Sequence, residues 1–218
     1  MENKDLQNQP VQAAEEAQDI LARAKANSKR ILAFSIFIFA VIAAILIWFF
    51  VAKAGSAKAD EAIGRADVAP NDSVALVLYK EAAQKGYKSG NRAKVEVGMR
   101  LYKEGKYQEA LDYLKDASLD DKIAAAGVYT LQGDCYVNLK QYPEAIKAFD
   151  KAISKADKNP SIVPLVLIKK ANVFRAENNY KDEAEALRII VEQYPQFMQS
   201  SQMDVRKLYE RAKASAAE

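Results

Sequence analysis

Hydrophobic residues are arranged in two different ways along this 218-residue chain. Residues 31–52 form an unbroken apolar run, ILAFSIFIFAVIAAILIWFFVA, that contains no charged side chain. From about residue 72 onward, apolar residues recur at the three- and four-residue intervals of amphipathic helices, with charged residues between them. The pattern therefore predicts one very apolar helix followed by a domain of amphipathic helices, and the fold class is expected to be all-α.

The apolar run has the length and composition of a transmembrane helix. At about 1.5 Å per residue, it spans a hydrocarbon layer of roughly 30 Å. Trp48, Phe49 and Phe50 lie near one end, where aromatic residues border a membrane. A cleaved signal peptide is the alternative, but its apolar core is only about 7–15 residues long, and here a polar tail, residues 1–30, precedes the run. We therefore expect a retained membrane anchor.

Basic residues near the apolar run indicate its orientation. Four of them precede the run and three follow it, and the side with more Lys and Arg usually stays in the cytoplasm. The four are Arg23, Lys25, Lys29 and Arg30, and the three are Lys53, Lys58 and Arg65. The pattern predicts a cytoplasmic N-terminus, with the domain after the run on the other side of the membrane.

Residues 53–90 connect the apolar run to the helical domain. Lys53 to Ala66 is Ala-rich and is expected to extend the membrane helix into water, until the turn-forming sequence at residues 69–72. Asp72 or Ser73 is then expected to cap a helix that contains Ala75, Tyr79 and Ala82 and ends at Gly86. This helix is either the second helix of a degenerate first repeat or an N-terminal cap.

The stretch from Gly133 to Ala152 predicts two short helices folded against each other. Gly133 and Ala145 are small enough to let the two backbones approach, and Tyr136 and Phe149 are large enough to fill the space between the helices. Tyr142-Pro143 marks the turn, because Pro is favoured in the first turn of a helix. The same order of residue types recurs on both sides, so the domain is expected to be built from copies of this unit.

This pattern resembles the tetratricopeptide repeat (TPR), a helix-turn-helix unit of about 34 residues. The central copy places residues of the consensus type at Tyr129, Gly133, Tyr136, Tyr142, Ala145, Phe149 and Ala152. The preceding copy does so at Gly98, Leu101, Tyr107, Ala110, Leu114 and Ala117, and the following copy at Ala171, Phe174, Tyr180, Leu187 and Pro195. The third copy has Glu183 and Ile190 where small residues are expected, which predicts wider helix spacing or a shifted register with Ala184 as the substitute.

The last segment, residues 198–218, predicts a single capping helix with Met198, Val205, Leu208 and Tyr209 as contacts, since a solenoid needs a polar-faced end. The expected architecture is therefore a short TPR solenoid of about three repeats plus capping helices, following one transmembrane helix. Its segments are a polar tail (1–30), a transmembrane helix (31–52), a juxtamembrane helix with a degenerate first repeat or cap (53–90), the TPR domain (91–197) and the capping helix (198–218).

Stacked TPRs form a concave surface from their first helices, and the resemblance implies that this surface binds proteins or peptides. The side chains expected on it are Arg92, Met99, Tyr102, Lys103, Asp134, Val137, Asn138, Asn172 and Arg175. One TPR subclass holds C-terminal carboxylates with a clamp of Lys, Asn and Arg side chains. This chain has Val95, Met99, Leu131, Leu165 and Lys169 at those positions, so a carboxylate clamp is not expected.

Composition argues against several other functions. The chain contains no histidine, which removes the commonest general base and metal ligand, and one cysteine, Cys135, which is interpreted as a small buried residue. The net charge of +3 and the absence of a basic stripe argue against nucleic-acid binding. No phosphate-binding loop or nucleophile motif is present. We expect no enzymatic activity, no catalytic, cofactor or metal site, and no small-molecule substrate.

The layout of a short tail, one membrane span and degenerate TPRs resembles the YfgM-like family of bacterial membrane proteins, which are ancillary subunits of the Sec translocon. The resemblance implies a bacterial inner membrane location, a periplasmic TPR domain, and contacts with periplasmic chaperones or translocated substrates. Two alternatives remain open, a cell-envelope assembly scaffold and, if the topology is reversed, a cytosol-facing TPR receptor.

Overall fold

The computed structural model describes residues 5–85 and 88–217. These residues form α-helices and no strand, which confirms the predicted all-α class. The chain divides into two compact units, one up to Ala52 and one from Lys53 onward. The helices are α1 (Asp5–Asp67), α2 (Asp72–Ala83), α3 (Lys88–Lys103), α4 (Tyr107–Lys115), α5 (Lys122–Asn138), α6 (Tyr142–Ala156), α7 (Val163–Ala176), α8 (Tyr180–Gln193), α9 (Pro195–Ser200) and α10 (Val205–Ser215).

The first unit contains the apolar run, which lies within α1. Its large apolar side chains from Leu32 to Val51 are exposed, from 41% at Val41 to 74% at Phe39. Within the described residues, one helical segment, Leu32–Asp67, is long and apolar enough to cross a membrane, on the criteria of length and composition. The predicted polar tail is helical from Asp5, and residues 1–4 lie outside the described residues.

In the second unit, α1 ends at Asp67. This part of α1 packs on α2 through a stripe of small residues and one isoleucine, because small side chains allow two helices to lie close together. The buried residues of the pair are Ala59, Ala62, Ile63 and Ala66 from α1 and Ala75, Tyr79, Ala82 and Ala83 from α2.

The cap of α2 differs by one residue from the prediction. Asn71, rather than Asp72 or Ser73, caps the helix, and its Oδ1 accepts a hydrogen bond from the Val74 N–H at 2.9 Å. Asn, Asp and Ser are about equally favoured at this position, so N-cap preference alone does not distinguish Asn71 from the two residues that follow. Gly86, the predicted end of this helix, lies outside the described residues.

Three helix pairs, α3–α4, α5–α6 and α7–α8, follow the predicted TPR register. In each pair, a small residue lies five residues before the end of the first helix and a large one lies seven residues after the start of the second. These residues are Gly98 and Leu114, Gly133 and Phe149, and Ala171 and Leu187, and all of them are buried. The pair α1–α2 has Ala62 and Tyr79 at the same two positions. Whether α1–α2 is a degenerate first repeat or an N-terminal cap stays a prediction.

The third repeat keeps this register, which contradicts the shift to Ala184, one of the two predicted alternatives; the wider helix spacing stays a prediction. Glu183 and Ile190 are 2% and 0% exposed in the two positions where the central repeat has Ala145 and Ala152, whereas Ala184 is only partly buried. The Glu183 carboxylate is tolerated because Arg211 from α10 reaches it, with the Arg211 Nη2 to Glu183 Oε1 distance at 3.1 Å.

The C-terminal segment is two helices, α9 and α10, and not the single helix predicted for residues 198–218. The chain breaks at residues 201–204, and the Asp204 Oδ1 caps α10 by accepting a hydrogen bond from the Lys207 N–H at 3.0 Å. Helix α10 packs on α8 with Val205 fully buried, and Met198, Leu208 and Tyr209 are partly buried against the same cluster, as predicted.

Candidate functional site

A groove of about 680 Å³ runs along the three first helices α3, α5 and α7. It exists because α5 presents Ala124 and Gly127 between larger side chains of α3 and α7, and a Cβ added at Gly127 would have no atom within 4 Å. We call it the apolar groove. Its lining residues are Val95, Met99, Tyr102, Lys103, Leu119, Ile123, Ala124, Gly127, Val128, Thr130, Leu131, Asp134, Ile162, Leu165, Val166 and Lys169.

Two large apolar side chains in this groove face water. Ile123, in the first turn of α5, is 46% exposed, and Leu165, in the first turn of α7, is 51% exposed. Within residues 88–217 as described, the other large apolar side chain with comparable exposure is Met203. Exposed apolar side chains that share one groove are typical of interaction surfaces.

The groove becomes polar at one end, where Asp134 of α5 pairs with Lys169 of α7. The Lys169 Nζ lies 2.9 Å from Oδ1 and 3.0 Å from Oδ2 of Asp134, so both carboxylate oxygens accept from one ammonium group. Asp134 is the more buried partner, with 20% of its side chain exposed against 42% for Lys169. The pair links two neighbouring repeats at the polar end of the groove.

Burial raises the pKa values of two ionisable side chains at this polar end. Desolvation raises the pKa of Asp134 above its usual value, and the hydrogen bond and charge of Lys169 oppose that rise. Burial also raises the pKa of Tyr102, with a further contribution from the Asp134 charge, while a hydrogen bond from Asn138 acts in the opposite direction. At neutral pH, the Tyr102 hydroxyl is therefore protonated and able to donate a hydrogen bond.

A second pocket of about 310 Å³ adjoins the polar end and shares Tyr102, Asp134 and Lys169 with the groove. Its other lining residues are Val137, Asn138, Tyr142, Phe149, Asn172, Val173 and Ala176. Two of its amides are engaged within the protein, because Asn138 Nδ2 donates to the Asp134 carbonyl at 2.8 Å and Asn172 Oδ1 accepts from Arg175 at 3.3 Å. The concave face is thus a continuous surface with an apolar and a polar part.

Seven of the nine side chains predicted for the concave face line these two cavities. Met99, Tyr102, Lys103 and Asp134 line the apolar groove, and Val137, Asn138 and Asn172 line the second pocket. Arg92 and Arg175 are exposed and line neither cavity. Whether any of the nine contacts a partner stays a prediction.

Sequence reasoning missed most of the groove's apolar lining. Val95, Leu131 and Leu165 drew attention only as positions that lack the polar residues of a carboxylate clamp. The large apolar residues at these three clamp positions could have predicted the groove, because the positions belong to different repeats and line one surface. Ile123 and Ile162 lie in or just before the first turns of their helices, where the repeat consensus gives no indication.

Cys135 lies beside Asp134 but contributes no reactive group to this surface. Its side chain is fully buried, which confirms its interpretation as a small core residue. Burial, followed by the nearby Asp134 charge, raises the pKa of its thiol to about 12. The thiolate needed for nucleophilic chemistry is therefore scarce at neutral pH.

Comparisons with known proteins support the helical-repeat architecture. A tetratricopeptide repeat family profile matches residues 101–166, the region from the end of α3 to the start of α7. The crystal structure titled MamA is 16% identical over 66% of this chain and 88% of that chain, with a TM-score of 0.50. A second structure, titled MamA protein, is 17% identical over 77% of this chain and 88% of that chain, with a TM-score of 0.49.

No curated protein matches the chain in sequence. The structural likeness, at this level of identity, is a likeness of fold. Tetratricopeptide repeats generally serve as non-catalytic scaffolds for protein–protein contacts. The family match to residues 101–166, the register of the three helix pairs and the shared fold together support a TPR-like solenoid in this part of the chain.

Proposed function

We propose that this TPR protein is a membrane-anchored scaffold that binds other proteins through the apolar groove. The observation that carries the proposal is the groove itself, an open apolar surface on the first helices α3, α5 and α7. Fully burying a Leu or Ile side chain is worth about 1.5–3 kcal/mol, so half-exposed Ile123 and Leu165 would each gain about 1 kcal/mol when a partner covers them.

Exposure of the apolar run supports membrane anchoring. The large apolar side chains from Leu32 to Val51 are at least 41% exposed. Exposing so large a continuous apolar surface to water is unfavourable and rare in soluble proteins. A helix that is apolar on all sides and too long for a signal sequence is accommodated in a bilayer. The charge balance around the run favours a cytoplasmic N-terminus and a TPR domain on the opposite face.

For the cellular setting we propose the bacterial inner membrane, with the TPR domain in the periplasm near the Sec translocon. The support is the resemblance to YfgM-like proteins in layout, together with an apolar groove that suits unfolded or partly folded polypeptides. The same surface would serve a cell-envelope assembly scaffold or, in the reverse topology, a receptor for cytosolic proteins, and the partners recovered decide between them.

The test is affinity purification of the full chain from crosslinked membranes, with an Ile123→Asp/Leu165→Asp double variant beside it. Both exchanged residues are half-exposed, so the variant is expected to fold. Proteins recovered with the natural chain and lost with the variant are groove partners, and Sec components among them would support the proposal. If the two chains recover the same proteins, the groove is not the binding surface. A reporter fused after residue 90 establishes the topology in the same membranes.

A further inference from the structure

We infer that the groove takes a peptide segment whose large apolar side chains are followed by a carboxylate, which pairs with Lys103. The inference rests on the proposed function, since it names the chemistry of the partner that the groove binds. It is carried by two features of the surface, a change in polarity along the helices and the sign of the charge at the polar end.

The change in polarity occurs on all three first helices. On α3, Val95 and Met99 precede Tyr102 and Lys103, and on α5 the apolar stretch ends at Asp134. On α7, apolar residues precede Lys169. Because Tyr102, Asp134 and Lys169 line both cavities, the three changes lie at one place on the surface. A ligand that extends across this boundary must therefore have an apolar part followed by a polar part.

Lys103 sets the sign of the charge that the ligand carries. Asp134 and Lys169 neutralise each other through the two short contacts between them. Lys103 is exposed at the groove and forms no ion pair with any residue in the described ranges 5–85 and 88–217. A ligand carboxylate would gain the Lys103 charge and a hydrogen bond from the Tyr102 hydroxyl, whereas a ligand cation would face Lys103 with Asp134 already engaged.

The apolar part of the surface excludes a densely acidic ligand. Val95, Leu131 and Leu165 offer no hydrogen-bond donor, so carboxylates placed there would lose water without replacement. A fatty acid shares the chemistry of an apolar chain ending in a carboxylate. We assign the groove to a peptide because it is an open surface on three helices, and an open surface leaves a single acyl chain largely in contact with water.

The experiment measures binding of fluorescein-labelled peptides to the full chain in phospholipid nanodiscs by fluorescence anisotropy. The peptides share one length and carry zero or three leucines, followed by Asp, Asn or Lys. We expect binding only with leucines, and tighter binding with Asp than with Lys by about fivefold, the effect of one exposed ion pair. Lys103→Glu should reverse this order, whereas Lys147→Glu, an exposed lysine of α6 outside the groove, should leave it unchanged.

A second pair of variants separates the inference from the proposed function. Ile123→Ser/Leu165→Ser should weaken binding of every leucine peptide at least about tenfold. Val77→Ser, which changes an exposed valine of α2 outside the groove, should not. If leucine peptides bind at the groove regardless of the final charge, the inference fails and the proposed function stands. If no peptide binds, both fail.

Two other occupants would be recognised in the same experiment. Oleate could displace a bound peptide, bind more tightly than the peptide and require Lys103 for its binding. That result would assign the groove to a lipid and overturn the inference. The protein could instead self-associate in the absence of peptide and become a monomer in the Ile123→Ser/Leu165→Ser variant. That result would assign the groove to a second copy of the chain and would also overturn the inference.

Discussion

The Phe149 ring lies directly over the Gly133 backbone, and a Cβ at Gly133 would come within 2.3 Å of Phe149 Cε1. Glycine in mid-helix costs about 1 kcal/mol relative to alanine, so a close approach of this kind must compensate for it. Gly98 and Leu114 have the same relationship one repeat earlier, where a Cβ would lie 2.6 Å from Leu114 Cγ. These contacts set the distance between the two helices of each repeat.

Gly133→Ala is therefore expected to destabilise the protein by about 1–2 kcal/mol, because overpacking against a fully buried ring exceeds the gain in helix propensity. Thermal or urea unfolding of the full chain in nanodiscs measures the change. The matched control is Gly127→Ala in the same helix, where an added Cβ meets no atom within 4 Å and about 0.5–1 kcal/mol of stabilisation is expected. Equal effects of the two exchanges would contradict the packing explanation.

The sequence was sufficient to predict these intra-repeat contacts because they depend on local spacing. Gly133 and Phe149 are 16 residues apart and belong to two consecutive helices, so the repeat pattern specifies their contact. The contact of Glu183 with Arg211 was missed, because it joins α8 to a capping helix that follows no repeat pattern. The pattern alone therefore suggested either wider helix spacing or a shifted register, and the structure keeps the register and adds an ion pair.

Arg211→Ala is expected to destabilise the protein more than Glu183→Ala. Without Arg211, whose side chain is 49% exposed, the buried Glu183 carboxylate loses its ion-pair partner, and leaving such a buried acceptor unpaired costs about 1–3 kcal/mol. Glu183→Ala instead creates the residue type found at Ala145, the equivalent position of the central repeat. Chemical unfolding compares the variants.

The double variant Glu183→Ala/Arg211→Ala serves as the control and should recover most of the stability lost in Arg211→Ala. Arg188→Ala, which removes the exposed ion pairs with Glu185 and Glu192, should cost no more than about 1 kcal/mol. A loss in Arg211→Ala no larger than that in Arg188→Ala would show that Glu183 is not a buried charge in need of compensation.

Lys169→Met is expected to lower stability in a pH-dependent manner. Burial already raises the pKa of Asp134, and without Lys169 to oppose it the folded-state pKa rises further above the unfolded value. The folded chain then binds the Asp134 proton more tightly than the unfolded chain does. Stability is therefore lost as pH rises through the folded pKa and regained as pH falls through it.

We expect a deficit of about 1–2 kcal/mol near pH 7, between the values for exposed and buried pairs, and a smaller deficit near pH 4. Urea unfolding at both pH values measures it. Asp134→Asn in the Lys169→Met background removes the titrating group, so its stability relative to Asp134→Asn alone should not vary over this range. A deficit that stays constant or grows on acidification would contradict the assignment to Asp134.

The ion pair between Asp134 and Lys169 was not predicted from the sequence. Asp134 was predicted on the concave face from the TPR resemblance, and Lys169 was named only among the residues at the carboxylate-clamp positions. The two residues are 35 positions apart and meet only because neighbouring repeats stack. Contact between repeats depends on loop lengths and on the superhelical twist, which the repeat consensus does not contain. The apolar groove was missed for the same reason.

Cys135 is expected to resist alkylation in the folded protein. Its side chain is fully buried and its thiol pKa is raised to about 12, so both access and thiolate are lacking. Mass spectrometry after iodoacetamide treatment near pH 8 should show almost no modification of the native chain and one modification of the urea-unfolded chain. Rapid native labelling would mean that α5 opens or packs more loosely than the structure shows.

The most direct test of the apolar groove as the binding surface is site-specific photocrosslinking in the cells that make the protein. Benzoylphenylalanine replaces Leu165 in the groove in one strain and Val77 outside it in another, and both positions are well exposed, at 51% and 66%. Binding through the groove predicts discrete crosslinked protein products from position 165 and none of the same mass from position 77. Equal products from both positions, or products from position 77 alone, would contradict it.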